Sequence, residues 1–166
     1  MKRIRLLTVL ARHAHMIRFM SSLALSVLLA APSAHADNAL PAIQVYRSPG
    51  CSCCEKWIQH LRQAGFTVRS QDARNLSALR AQLSVPKSVA GCHTAKMGAY
   101  VIEGHVPADQ VKHLLREKPD VVGISVPGMP VGSPGMEGPG GHEYDVMVWR
   151  KDGSTSVFAR EKPLAR

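Results

Sequence analysis

Ile43-Gln44-Val45-Tyr46-Arg47-Ser48-Pro49-Gly50-Cys51-Ser52-Cys53-Cys54-Glu55-Lys56-Trp57-Ile58 is the stretch on which the fold turns. Ile43 to Tyr46 alternates in the period of a half-buried strand. Ser48-Pro49-Gly50 turns the chain. Beyond the cysteines, Trp57, Ile58, Leu61 and Ala64 recur at helical spacing, and Gly65 stops the helix. The expectation is a strand that feeds a helix through a junction holding three cysteines.

Downstream, Phe66-Thr67-Val68 reads as a second strand, and Asn75 caps a short helix with Leu76, Leu79 and Leu83 on one face. Val85 to Lys96 reads as irregular. Ala99-Tyr100-Val101-Ile102 is expected to be the third strand, with Glu103-Gly104 as its turn and His105-Val106 as a brief return. Pro107 suits the first turn of another helix, with Val111, Leu114 and Leu115 facing inward and Pro119 ending it. This α/β order, β-α-β-α-β-β-α, is that of a thioredoxin-like fold, in which a Cys-x-x-Cys sits between the first strand and the first helix. Val126 to Gly141 is dominated by Pro and Gly and sustains neither helix nor sheet. Loops of such length are often functional. Tyr144 to Trp149 and Ser154 to Phe158, joined through Asp152-Gly153, read as a C-terminal β-hairpin.

Upstream, residues 1–36 have the parts of a cleavable signal peptide. Lys2, Arg3, Arg5, Arg12 and Arg18 are its only charged residues, Phe19 to Ala31 is apolar apart from serines, and Ala34-His35-Ala36 is a small-x-small cleavage pattern. The apolar run is short for a membrane span, which needs about 20 residues. Met16 to Ala36 alone has every part of a signal, so Met16 is an alternative start. The mature chain, residues 37–166, is expected to be a single domain in the periplasm, with no stable membrane insertion after cleavage. It keeps 16 of the 21 basic residues and all 12 acidic ones, a balance of +4. With no basic block interleaved with aromatics, that charge argues for solubility and against a nucleic-acid role.

All four cysteines, Cys51, Cys53, Cys54 and Cys92, fall in the mature chain. An even count in an exported protein invites a disulfide reading, but three of the four crowd into four residues. A helix N-terminus favours thiolate over thiol. Cys51 and Cys54 are spaced to converge on one ion, and Cys53 adds a third sulfur. Soft sulfur favours Cu(I), with Zn(II) second. Cys92-His93 lies in the segment leading to the third strand, where redox members of the fold usually carry a proline, so Cys92 and His93 extend the ligand set. Cys92 as a disulfide partner of the triplet is the alternative. Met129 and Met136 lie in the Gly/Pro loop, where a core methionine is not expected, and thioether suits Cu(I); as pegs over a cleft they would be packing residues. Met97 and His142 stay open as ligands. Met147 reads as strand packing, His60 and His113 as solvent-facing, and Glu103 and Glu143 as solvated. His105 is expected at the end of the sheet opposite the cysteines.

Several strings resemble one family. They are Gly50-Cys51-Ser52-Cys53-Cys54 with Trp57, the segment from Ser88 to Glu103 around Cys92-His93-Thr94, and Gly98-Ala99-Tyr100-Val101-Ile102-Glu103-Gly104-His105-Val106-Pro107. Val126-Pro127-Gly128-Met129-Pro130 and Gly132-Ser133-Pro134-Gly135-Met136-Glu137 follow. The chain from about Val45 to Phe158 is similar to exported, metal-binding bacterial proteins that include copper-resistance proteins of the CopG type. The resemblance implies a thioredoxin-like domain that holds one or several copper ions, Cu(I) or Cu(II), in a cysteine cluster. It implies a place in periplasmic copper resistance, with other copper-resistance or efflux proteins as partners. Carried over, the ligands are Cys51, Cys53, Cys54 and Cys92, with His93, Met129 and Met136 as further members. No phosphate loop, zinc-protease helix or serine elbow competes. The second reading is a thiol–disulfide oxidoreductase using Cys51 and Cys54.

Overall fold

The computed structural model describes residues 40–164. The expected signal peptide, its cleavage site and the alternative start at Met16 lie outside them. No described helix is long and apolar enough to cross a membrane.

The chain runs β1 (Ile43–Arg47), α1 (Ser52–Gln63), β2 (Val68–Asp72), α2 (Leu76–Gln82), a 3-10 turn (Lys87–Val89), β3 (His93–Met97) and β4 (Tyr100–Gly104). It continues through α3 (Ala108–Glu117), β5 (Gly123–Val126), β6 (Tyr144–Trp149) and β7 (Thr155–Glu161). One seven-stranded mixed sheet has the order β2-β1-β3-β4-β5-β6-β7. β1/β2 and β4/β5 are parallel and the other neighbours antiparallel. α1 buries Cys54, Trp57, Ile58 and Leu61, and α3 buries Ala108, Val111 and Leu114. With Ile43, Val45, Ile102, Ile124 and Val146 these side chains form the main core, each large apolar group stabilising by about 1.5–3 kcal/mol. A smaller cluster of Val85, Val89, Val101 and Trp149 lies apart from it.

α1 and its Gly65 stop, the Asn75 cap (Ala78 N–H to Oδ1, 2.9 Å) and the terminal hairpin fall where the sequence places them. Three elements do not. The second strand covers Val68–Asp72 rather than Phe66–Val68; as a sheet edge it is exposed beyond Val68, so it shows no apolar alternation. β5 lies in residues to which the sequence assigns no element, and it takes in Val126, the first residue of the stretch expected to form no sheet. The largest correction is the central hairpin. His93–Met97, of which His93 to Lys96 reads as irregular in the sequence, is β3, and the segment read as the third strand is the fourth, β4. Thr94 pairs with Glu103 and Met97 with Tyr100. His93 and Thr94 are polar yet fully buried, so β3 has no apolar signature. Glu103-Gly104 therefore ends a strand and is not a turn.

This shift reverses the expected ends of the hairpin. Because β3 is antiparallel to β1, His93 pairs with Arg47 at the end of β1 that feeds the cysteines, and Met97 pairs with Ile43 at the far end. β4 then returns to the cysteine end, and His105 follows it there rather than at the opposite end. Met97 is core packing, 1% exposed.

Candidate metal centre

The three-cysteine run occupies the β1–α1 junction. Cys51 is the N-cap residue of α1, in extended conformation and with no side-chain cap. Cys54 faces inward on the same stripe as Trp57, Ile58 and Leu61. Cys92 enters from the segment before β3. Gly91 and Gly104 allow this close crossing: a Cβ on Gly91 would meet Gly104 Cα at 2.6 Å, and Gly104 has φ +70°.

One ligand atom from each of Cys51, Cys53, Cys54 and Cys92 lies within 4.8 Å of the others, and Cys92, His93 and His105 form a second such group. Cys92 is common to both. Cys51 and Cys54 are joined as a disulfide, whereas Cys53 and Cys92 are free. Ligation by all four thiolates would need this pair reduced, whereas the oxidised pair is the one expected of a Cys-x-x-Cys redox motif. Cys53 Sγ is 3.5 Å from Cys51 Sγ and Cys92 Sγ is 3.6 Å from Cys54 Sγ, so each half of the disulfide faces a free thiol.

Nitrogen completes the set. His105 Nε2 is 2.9 Å and His93 Nδ1 3.2 Å from Cys92 Sγ. His105 Nδ1–H donates to the Pro134 carbonyl at 2.7 Å. That bond fixes the tautomer, so the Nε2 lone pair is directed at the sulfur, the arrangement that orients a ligating imidazole. His93 stacks on Trp57 with ring centroids 4.2 Å apart, and its buried Nε2 has no hydrogen-bond partner among the described residues. Burial, then the neighbouring His105, holds His93 well below the ordinary imidazole range. Burial also lowers His105, against the pull of the Pro134 carbonyl. Both shifts favour the neutral imidazole, the form in which a ring nitrogen can ligate a metal. Burial, then the proximity of Cys53, pushes the Cys92 thiol up to about 12. A metal cation would reverse that balance and bind it as thiolate. Soft thiols, an orphaned buried nitrogen and a pre-set tautomer fit a copper ion.

The Gly/Pro loop forms a wall of this site. Gly135 has φ +88°, and a Cβ there would lie 2.7 Å from Cys53 O, 3.0 Å from Trp57 N and 3.3 Å from His105 Nδ1. The loop backbone therefore lies flat on the first turn of α1. Met129 and Met136 line a cleft that also includes Cys53. His142 is exposed and Met147 half-buried on β6, and neither belongs to the metal-ligand groups.

Three further expectations change. Glu103, read as solvated, is fully buried. It accepts from Arg80 Nε (2.8 Å) and Gly91 N–H (2.8 Å) on Oε1 and from Thr94 Oγ1 (2.6 Å) on Oε2. Burial raises its carboxyl above the ordinary range, against Thr94, Gly91 and Arg80. The carboxylate holds the residue before Cys92. His60, read as solvent-facing, accepts the Ala108 N–H on Nε2 at 3.0 Å and so caps α3, which has no side-chain cap of its own. His113, read likewise, is half-buried against Phe158, with ring centroids 4.9 Å apart. His105 is the candidate ligand that the sequence places at the other end of the sheet. The signal was its place between a strand and the Pro107 helix start, legible once β4 ends at Gly104.

No curated protein matches the chain. Residues 89–136 match the family model described as "Protein of unknown function, DUF411". Two solved structures, "Copper resistance protein copG- Form 1" and "Form 2", are each 43% identical to the chain. Each covers 74% of it and is itself covered to 98%, with TM-scores of 0.70 and 0.69. At that identity and coverage, the chain belongs to the family of the CopG copper resistance proteins.

Proposed function

We propose that this chain is a periplasmic copper-binding protein of copper resistance, which in its reduced form holds Cu(I), one or several ions, through Cys51, Cys53, Cys54 and Cys92. His93 and His105 supply nitrogen donors. The observation that carries the reading is the gathering of four sulfurs from two separated segments within 4.8 Å of one another. The β1-α1-β2-α2-β3-β4-α3 part, with β2-β1-β3-β4 adjacent in that order, supports a thioredoxin-like core to which β5, β6 and β7 are added. In that core the strand-to-helix junction presents Cys51, Cys53 and Cys54 where helix N–H groups favour thiolate. Copper, and efflux or resistance proteins that exchange it, are the partners this chemistry suits. Zinc remains the weaker candidate, since a predominantly sulfur site in contact with an oxidisable pair suits Cu(I) better.

The test is copper uptake by the fully reduced full-length chain, counted by metal analysis after competition with a Cu(I) chelator. Cys51→Ser/Cys54→Ser should lose most of the uptake. Retention equal to the unsubstituted protein would overturn the reading. The disulfide between Cys51 and Cys54 favours a second reading, thiol–disulfide exchange by that pair. Insulin reduction by the metal-free protein measures it, and turnover that survives Cys53→Ser and Cys92→Ser would support it.

A further inference from the structure

We propose that the cleft between α2 and the 3-10 turn binds a small organic carboxylate with a short aliphatic chain, its negative end held between Arg80 and Lys87. The proposal stands apart from the copper-binding reading, because none of the residues that line this cleft is a candidate metal ligand.

The cleft, of about 320 Å³, is lined by Ser77, Arg80, Ala81, Val85, Lys87 and Ala90. That volume is at the low end for small-molecule sites, about 300–1,000 Å³. Ser77, Arg80 and Ala81 stand at i, i+3 and i+4 on α2 and so share one face of it. The opposite wall is set by the way α2 ends. Val85 N–H bonds to Arg80 O (2.9 Å) and Ser84 N–H to Ala81 O (3.3 Å), a Schellman turn that holds Ser84, not glycine, at φ 54°. Such strain persists only where the surrounding structure over-determines it. Here the turn sends the chain back, with Val85 buried against Val89, Val101 and Trp149, and Lys87 comes to line the same cleft as Arg80.

Two cations face the cleft, and none of its lining residues is acidic. Lys87 is exposed and has no ion-pair partner among the described residues. Arg80 is engaged on one side only. Its Nε donates to Glu103 Oε1 (2.8 Å) and its Nη2 to Gly91 O (2.6 Å), while Nη1 has no partner among the described residues. Those bonds fix the guanidinium before any ligand arrives, so an anion that takes Nη1 gives up little side-chain entropy. Guanidinium and ammonium together select carboxylate or phosphate. The rest of the lining decides between them. Ala81, Val85 and Ala90 present methyl groups, which favour a ligand with an apolar body over a fully hydrated phosphate. The Ser77 hydroxyl supplies one more donor.

The test uses the metal-free full chain labelled with ¹⁵N, titrated at constant ionic strength with butyrate and, in parallel, with butyramide and with inorganic phosphate. Butyrate should move the Arg80 Nε–H signal and the Ser77 and Lys87 amide signals together, with half-saturation below about 10 mM. Butyramide has the same shape without the charge and should leave them in place. Phosphate should bind about fivefold more weakly, for want of the aliphatic contact. Lys87→Gln should weaken butyrate about three- to fivefold, the share of an exposed ion pair. Ala81→Glu, which offers the two cations a carboxylate of the chain's own, should weaken it about tenfold, and Ala81→Gln controls for size. Lys87 and Ala81 are exposed, so these changes spare the core; Arg80 is left in place because it also holds Glu103. No saturable movement with butyrate, equal movement with butyramide, or phosphate binding as tight as butyrate's would overturn the proposal, and all three are read on the unsubstituted protein. Affinity unchanged in both Lys87→Gln and Ala81→Glu would overturn it too, since the ligand would then lie elsewhere.

Discussion

Replacing Glu103 tests how the sheet delivers Cys92 to the site. The Glu103 side chain is fully buried, Arg80 is 19% exposed, and the pair meets at 2.8 Å. Glu103→Ala leaves the buried Thr94 hydroxyl without its acceptor, an effect of about 1–3 kcal/mol. The Gly91 N–H loses its acceptor too, but Gly91 is half-buried and water can replace it. Arg80 is not stranded, because its guanidinium also donates to Gly91 O at 2.6 Å. The lost carboxylate no longer bears its own burial penalty. The net effect therefore falls at the low end of the range for breaking a buried pair, about 3 kcal/mol. At about 4 °C per kcal/mol for a domain of this size, that is a fall of about 12 °C in Tm. Glu103→Gln keeps an acceptor for Gly91 and Arg80, and its amide can donate to the Thr94 hydroxyl, so it should lose about 1 kcal/mol. Thermal and urea unfolding of the metal-free protein, followed by circular dichroism, measures both. An alanine variant within 1–2 °C of the unsubstituted protein, or one more stable than the glutamine variant, would refute the clamp.

Three other outcomes follow from the geometry. His60, lowered by burial and accepting the Ala108 N–H, gives the native state fewer bound protons than the unfolded chain below about pH 6.5. Its stabilisation is complete above that pH and lost as pH falls through the lowered native value. His93 and His105 shift in the same direction, so urea midpoints should drop from pH 7 to pH 5, less steeply in His60→Gln; an equal slope would exclude His60 as a contributor. Gly135→Ala should lose about 1–2 kcal/mol from its left-handed backbone and about 1–3 kcal/mol from crowding Cys53 O and Trp57 N, with weaker copper retention; unchanged stability would mean the loop does not rest on α1. Cu(I) uptake by reduced protein at pH 7 should release protons, since the Cys92 thiol at about 12 is protonated there; an indicator dye that registers no release would exclude thiolate ligation at Cys92.

The parts of the fold legible in the sequence are those whose apolar residues face one core. Trp57, Ile58 and Leu61 declare α1, and Val111 and Leu114 declare α3. Tyr144, Val146 and Val148 alternate as β6 does. β3 was illegible because its first two inward residues serve the site instead of the core: His93 stands among the candidate ligands and Thr94 holds Glu103. β5, Gly123-Ile124-Ser125-Val126, hides for a related reason. A Cβ at Gly123 would run into Val101 O, and buried Ser125 donates to Val89 O, so half of a fully buried strand is small or polar. One misplaced strand then carried two further errors, the polarity of the hairpin end and the exposure of Glu103.

The Gly/Pro segment borders the candidate metal centre for a physical reason. Side chains on helices and strands can bring sulfur and nitrogen together, but fixing the tautomer of an imidazole takes an acceptor on its second nitrogen. Here that acceptor is a main-chain carbonyl, Pro134 O, at 2.7 Å. A regular strand or helix would commit the carbonyl to its own ladder, whereas Pro134 lies where no ladder forms. Glycine at 135 then lets the chain approach Cys53 O closely enough to bring that carbonyl to His105. The composition that excludes regular structure over Pro127 to Gly141 is thus what frees a backbone acceptor for the site. It also makes a direct consequence of the fold: with Gly135→Ala displacing the loop, His105 should lose its fixed tautomer before the four sulfurs lose their proximity.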